Sequence, residues 1–168
     1  IVRSNFSIFE LNISNTYSDG FDADFCTGKL GYSSFTNTGN DCIDFSGSNV
    51  EISFVDIKNS GDKGISGGEA SQLTIKEIKI DGAVTGIAAK DGSVIEGKSV
   101  VINNVEYAFA AFRKKPEYEG AQIDLNKVTV ENAVQELLVE LKSSIMLDGS
   151  LVEGIEKLDI DALYARFE

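Results

Sequence analysis

One interval constrains this chain more than any other feature. Phe21, Ile43, Ile65, Ile87 and Phe109 follow one another at a spacing of 22 residues. Gly20, Cys42, Gly64, Gly86 and Ala108 run just before them, and Ala23, Phe45, Gly67, Ala89 and Ala111 two places after. A second set keeps the same beat with one slip: Ile13, Phe35 and Ile57 are spaced by 22, Ile80 comes 23 later, and Ile102 after 22 again. Ile8, Leu30, Ile52 and Ile75 slip at the same place. The turn from Ile80 to Gly86 is therefore one residue shorter than the turn from Ile57 to Gly64. A fixed period of about 20 to 50 residues marks a solenoid, in which each unit buries its apolar face only against the next.

Residue type decides which solenoid. Val50 with Ile52, Val55 with Ile57, Leu73 with Ile75 and Ile78 with Ile80 alternate in short pairs. Period 2 is the mark of strands, and the break between pairs implies a bend. A leucine-rich repeat has a similar length, but only Leu11, Leu30 and Leu73 occur before residue 120. Ile, Val and Phe with Gly-rich corners instead predict an all-β, single-stranded, right-handed parallel β-helix of ~22-residue coils, with like residues stacked about 4.8 Å apart. Asn15, Asn37, Asn59, Gly82 and Asn104 form a further file. It is expected to turn into the interior and bond amide to amide, with Asp81 a candidate stand-in at the fourth coil.

The sixth coil is longer. Residues 113–121 hold the only Pro and a basic cluster and read as an insertion loop; a shift of 28 then restores the register, carrying Val100 to Val128 and Phe109 to Leu137. Residues 1–144 are assigned to the β-helix and 145–168 to a last coil and cap. Asp159 to Glu168 predicts a short amphipathic helix, with Asp159 as N-cap, closing the open end.

Composition excludes several function classes. A net charge of −12 argues against nucleic acid or an anionic membrane as partner, since those need clustered Lys and Arg. No apolar run reaches the roughly 18 residues of a membrane span. Without His, the usual general base and the commonest zinc ligand are absent. Cys26 and Cys42 lie on neighbouring coils but six columns apart, so free thiols are expected. The chain opens on Ile1 already in its repeat. It is expected to be part of a longer protein with further domains ahead of Ile1.

If the file from Phe21 to Phe109 points inward, its neighbours form an outward ladder face. Asp22, Asp24 and Asp44 fall there on two adjacent coils, with Asp19 and Asp41 one step before and Lys63 next in that column. Like charges at rung spacing repel, so a bound cation, a raised pKa or a Lys neighbour is expected. Such oxygen clusters suit Ca²⁺, with Asp22, Asp24 and Asp44 as ligands; a solvated acidic face is the plain alternative. Lys63 and Lys90 lie further along and are candidate bases for β-elimination on a uronate, or else ion-pair partners: Lys63 of Asp41, Lys90 of Asp91 or Glu69. Arg113, Lys114, Lys115 and Tyr118 on the loop, with Tyr107 near it, offer cation and aromatic contacts to an acidic glycan.

The runs GNDCIDFSGS, GDKGISGGEAS, GIAAKDGS and AFRKKPEYEG resemble bacterial right-handed parallel β-helix repeat proteins of the pectate-lyase-like group, in particular regions found beside CotH-type domains. The resemblance spans about Asp19 to Gly120. It implies the fold, whereas the group hosts lyases, hydrolases, epimerases and inert stalks. The hydrolase branch pairs its Asp residues with Gly-His-Gly and Arg-x-Lys, and the commonest lyase branch uses an Arg base before Pro; neither pattern is present. Only an Asp-lined Ca²⁺ site with a Lys base remains open among the enzymes. Three readings therefore stand: a non-catalytic carbohydrate-binding or surface module using the Asp-rich face, a Ca²⁺-dependent polysaccharide lyase, and a structural spacer. An extracellular or cell-surface location is favoured.

Overall fold

The computed structural model describes residues 1–159. Its strands are β1 (Asn5–Phe9), β2 (Asn12–Thr16), β3 (Phe21–Asp24), β4 (Thr27–Thr38), β5 (Ile43–Ser46), β6 (Asn49–Ser60), β7 (Lys63–Gly68), β8 (Gln72–Lys90), β9 (Val94–Phe112), β10 (Gln122–Val139), β11 (Ser144–Leu147) and β12 (Ser150–Glu153). They wind into a parallel β-helix. Phe21 sits against Ile43, Ile43 against Ile65, Ile65 against Ile87 and Ile87 against Phe109. The other file runs from Ile13 through Phe35, Ile57 and Ile80 to Ile102. Both fill the bore of the tube, where Phe35, Ile43, Phe45, Ile65, Ile87 and Phe109 are fully buried. Each such side chain contributes about 1.5–3 kcal/mol of transfer free energy.

The corners are made by single residues in the left-handed conformation. One file holds Glu10, Tyr32, Phe54, Glu77, Ser99 and Lys127, and another Asn15, Asn37, Asn59, Gly82, Asn104 and Asn132, all at positive φ. A third runs through Arg3, Phe25 and Gly47 and then doubles, with Glu69 and Ala70 both left-handed, as are Asp91 and Gly92. The extra residue at Glu69–Ala70 is the origin of the slip in register. Long strands such as β8 and β9 thus bend without breaking their ladders.

Asn tolerates the left-handed region better than most side chains, and its amide adds a bond between coils. Asn37 Nδ2 donates to Asn15 Oδ1 at 3.0 Å and Asn59 Nδ2 to Asn37 Oδ1 at 3.1 Å. At the fourth coil Asp81 does stand in, accepting from Asn104 Nδ2 at 2.7 Å. The file is exposed and does not turn into the interior, because in these corners the side chain leaves the bend on its convex side. The buried polar ladder is a different one. Ser48, Ser71, Ser93 and Ser143 each accept, through Oγ, a backbone N–H from the coil before, at 2.9–3.0 Å. The small column has a steric cause: a Cβ on Gly64 would lie 2.6 Å from the Gly86 carbonyl oxygen and 2.8 Å from Ile80 Cδ1.

At the C-terminal end the expected capping helix is corrected. No helix occurs among the described residues; the ladder ends instead when β12 turns back antiparallel to β11. Asp148 and Gly149, at φ 49° and 82°, supply the two left-handed positions of a tight hairpin turn. Reversing direction ends the parallel ladder, the task the helix was expected to perform. Apart from Asp159, the stretch expected to be helical lies outside the described residues. No helix is long and apolar enough to cross a membrane among the described residues.

Candidate functional site

The ladder face is built by β3, β5, β7 and the ends of β8 and β9. Alternation along β3 and β5 points Phe21, Ala23, Ile43 and Phe45 into the bore, so Asp22, Asp24, Asp44 and Ser46 project outward. Asp22 stacks on Asp44, Asp44 on Ser66, Ser66 on Ala88 and Ala88 on Ala110. The face is open only at its first two coils. Asp22 is exposed and Asp24 and Asp44 half-buried, whereas Ser66 and Ala88 are 0% exposed. Ala88, Ala110 and Phe112 form a small apolar cluster outside the bore, against which Leu138 and Leu158 pack. The C-terminal segment thus reaches the far end of the face, which the repeat pattern alone does not show.

The carboxylates divide into two kinds. Asp19 and Asp41 belong to the ladder itself. Asp19 Oδ1 accepts from Asn40 Nδ2 at 2.7 Å and from the Asp41 N–H at 3.1 Å, and Asp41 Oδ1 accepts the Lys63 N–H at 3.1 Å. Burial drives the Asp41 carboxyl from 3.8 up to about 6, against the opposing pull of Lys63 and Lys90. Asp22, by contrast, faces solvent. Partial burial first, and then the charges of Asp24, Asp44 and Asp19, raise its pKa.

Both lysines are engaged. Lys63 is buried, with its ammonium 3.3 Å from Asp41 Oδ1 and also paired with Asp62. Lys90 pairs with neither Asp91 nor Glu69. Its chain runs across Gly68, where a Cβ would lie 3.5 Å from Lys90 Cε, and its ammonium comes within 3.7 Å of Asp44 Oδ1. Asp91 is occupied elsewhere, accepting the Lys114 and Lys115 N–H groups at 2.7 Å each, and Glu69 pairs with Lys115. The Glu69 hydrogen bond is the main cause that raises the Lys115 pKa. The insertion loop is thereby tied down onto the turn beside the ladder face.

Among the described residues, two buried side-chain atoms lack any hydrogen-bond partner: Asp44 Oδ1 and Ser66 Oγ. They belong to residues stacked directly on one another. The structure does not bring Asp22, Asp24 and Asp44 into a cage. Among the described residues no group of three or more His, Cys, Asp or Glu side chains is arranged to hold a metal ion. The three carboxylates are strung along two rungs, Asp22 stacked on Asp44 and Asp24 on Ser46.

The remaining expected residues lie apart from these. Tyr107 is buried at 8% exposure and so offers no open ring face. Tyr118 is half-buried in the loop, its N–H donating to the Lys115 carbonyl at 3.2 Å. Arg113 and Lys114 line a cleft of about 520 Å³ together with Pro116, Glu140, Lys157, Leu158 and Asp159. The sequence puts Ser66 on the ladder face, as the third member of the Asp22–Asp44 file, without giving it a role, and does not mark Glu140 or Lys157. Cys26 and Cys42 are free and buried, as expected, and burial pushes the Cys42 thiol up to about 12.

A parallel solenoid with polar files on its outer faces defines the class. Residues 2–151 match the family model described as a right handed beta helix region. The chain belongs to that family. No curated protein and no solved structure matches it.

Proposed function

We propose that the open part of the ladder face binds carbohydrate without transforming it. The reading is carried by the inner edge of that open part, where Asp44 Oδ1 and, on the next rung, the covered Ser66 Oγ have no hydrogen-bond partner, the Lys90 ammonium standing 3.7 Å from Asp44 Oδ1. An unmet buried polar atom costs roughly 1–3 kcal/mol, so native structures seldom leave two together without a use for them. Both atoms are closed to solvent, so a ligand hydroxyl that donates to Asp44 Oδ1 and accepts from Ser66 Oγ enters by displacing the Lys90 side chain that crosses Gly68. Asp22 and Asp24 extend the row of acceptors into solvent, and a ligand rich in hydroxyl donors along its length is a saccharide chain. A surface or extracellular setting belongs to the same reading, since that is where polysaccharide is met.

The lyase reading is less well supported. A base must reach its substrate, yet Lys63 is buried between two carboxylates and Lys90 is turned onto a third. A pure spacer leaves the orphan pair without a role.

The test is a panel of neutral and acidic oligosaccharides titrated into the wild type, Asp44→Asn and Ser66→Ala, with the ligand-induced shift in melting temperature as readout. Both variants should lose the shift. Ser66→Ala should keep or raise its own melting temperature, since Ala already fills the same file at Ala88 and Ala110. A panel that moves nothing, or a shift that survives in Asp44→Asn, rejects the reading.

A further inference from the structure

Most half-buried or buried cations of this chain have a carboxylate: Lys63 has Asp41 and Asp62, Lys90 has Asp44, and Lys115 has Glu69. Arg113 is different. It is half-buried, and no carboxylate lies within ion-pairing distance of its guanidinium among the described residues; only its backbone N–H is engaged, donating to Glu140 Oε2 at 2.6 Å. It lines the cleft of about 520 Å³ between the insertion loop and the C-terminal segment, a volume ordinary for a small-molecule site. Three cations, Arg113, Lys114 and Lys157, and two carboxylates, Glu140 and Asp159, surround that space. Among the described residues the lining therefore carries one net positive charge, on a chain of −12. At physiological salt, charges beyond about 8 Å are largely screened, so the local set decides what enters.

We propose that this cleft is a second binding subsite, for a sugar unit bearing a single carboxylate. The planar fork of Arg113 matches a carboxylate's two oxygens. The charges of buried Glu140 and exposed Asp159 oppose a dianion such as phosphate, and the Asp159 oxygens can accept hydrogen bonds from sugar hydroxyls. Pro116 and Leu158, also in the lining, offer apolar surface to the C–H face of the ring. The site is separate from Asp44 and Ser66, which lie on the ladder face. The proposal extends the carbohydrate reading by naming an acidic sugar and relies on that reading only for the rest of the chain beyond this unit.

Glucuronate, glucose and inorganic phosphate are titrated separately into the ¹⁵N-labelled protein, and amide shifts are followed for the wild type, Arg113→Gln and Asp44→Asn. Glucuronate should bind in the millimolar range and move resonances of residues 113–116, 140 and 157–159. Glucose should leave these still. Arg113→Gln should weaken glucuronate at least tenfold, whereas Asp44→Asn should leave its binding in the cleft unchanged even where it abolishes oligosaccharide binding on the ladder face. If Arg113→Gln lowers the melting temperature by several degrees, Arg113→Lys replaces it: charge is kept, the fork is lost, and a smaller weakening is expected. Phosphate binding more tightly than glucuronate, unchanged binding in the Arg113 variants, or no shifts around the cleft overturns the proposal.

Discussion

Replacing Asp41 by Asn should flatten the pH dependence of stability. Asp41 is 4% exposed, and its carboxyl titrates near about 6 in the folded chain against 3.8 as its ordinary value. Because the folded state holds the proton more tightly, stability contributed by this group is present at low pH and falls as pH rises from about 4 to about 6. Integrated over roughly pH 5 to 7.5, the loss is about 1.4 kcal/mol. For a domain of this size that is a fall of roughly 3–6 °C in melting temperature. Asn retains the side-chain oxygen that accepts the Lys63 N–H at 3.1 Å, and Asp62 remains paired with the Lys63 ammonium. The variant thus resembles the protonated wild type at every pH. Chemical denaturation of both proteins across that range isolates the effect, since the two chains differ only in the charge at position 41. The stability of Asp41→Asn relative to wild type should grow by about 1.4 kcal/mol towards the higher pH. A difference that is constant or shrinks with pH refutes the claim that burial outweighs the lysines at this position.

Gly64→Ala should destabilise the fold by roughly 2–4 kcal/mol, because its new methyl meets the Gly86 carbonyl oxygen at 2.6 Å. Equilibrium unfolding measures it, and a loss below about 1 kcal/mol would mean that the coils can part locally. Neither Cys26 nor Cys42 should react with an aromatic disulfide reagent at neutral pH until denaturant is added, since both thiols are buried. A reaction complete in the native state would show that the coil opens there. Millimolar Ca²⁺ should leave the melting temperature unchanged, as no three-carboxylate group is in place to hold it. A rise in melting temperature that disappears in Asp22→Asn and Asp44→Asn would install a calcium site shared by those two residues.

Much of the architecture was legible because a solenoid writes its third dimension into one number. Once Phe21, Ile43, Ile65 and Ile87 are known to be one turn apart, stacking makes neighbours of every pair offset by that interval, including Asp22 with Asp44. The same arithmetic registered a slip between Ile57 and Ile80, which the structure traces to Glu69–Ala70, and offered Asp81 as a candidate stand-in. Where the repeat stops, so did the reading. The Asp148–Gly149 hairpin falls in what the sequence assigned to a last coil and cap, although an Asp-Gly turn between alternating apolar residues was there to be seen.

The sequence by itself determined the tube, its bore and the acids that share a rung, because these follow from periodicity and from the two-sidedness of a strand. Only the tertiary structure decided which of those acids remain available. Asp41 is buried and bonded to the coil above, Lys90 crosses Gly68 to reach Asp44, Ser66 is covered, and Arg113 is left facing a cleft with Lys157. Those outcomes depend on where a loop and a terminal segment cross the coils. Such crossings bring together residues far apart in the chain, and no repeat interval encodes them.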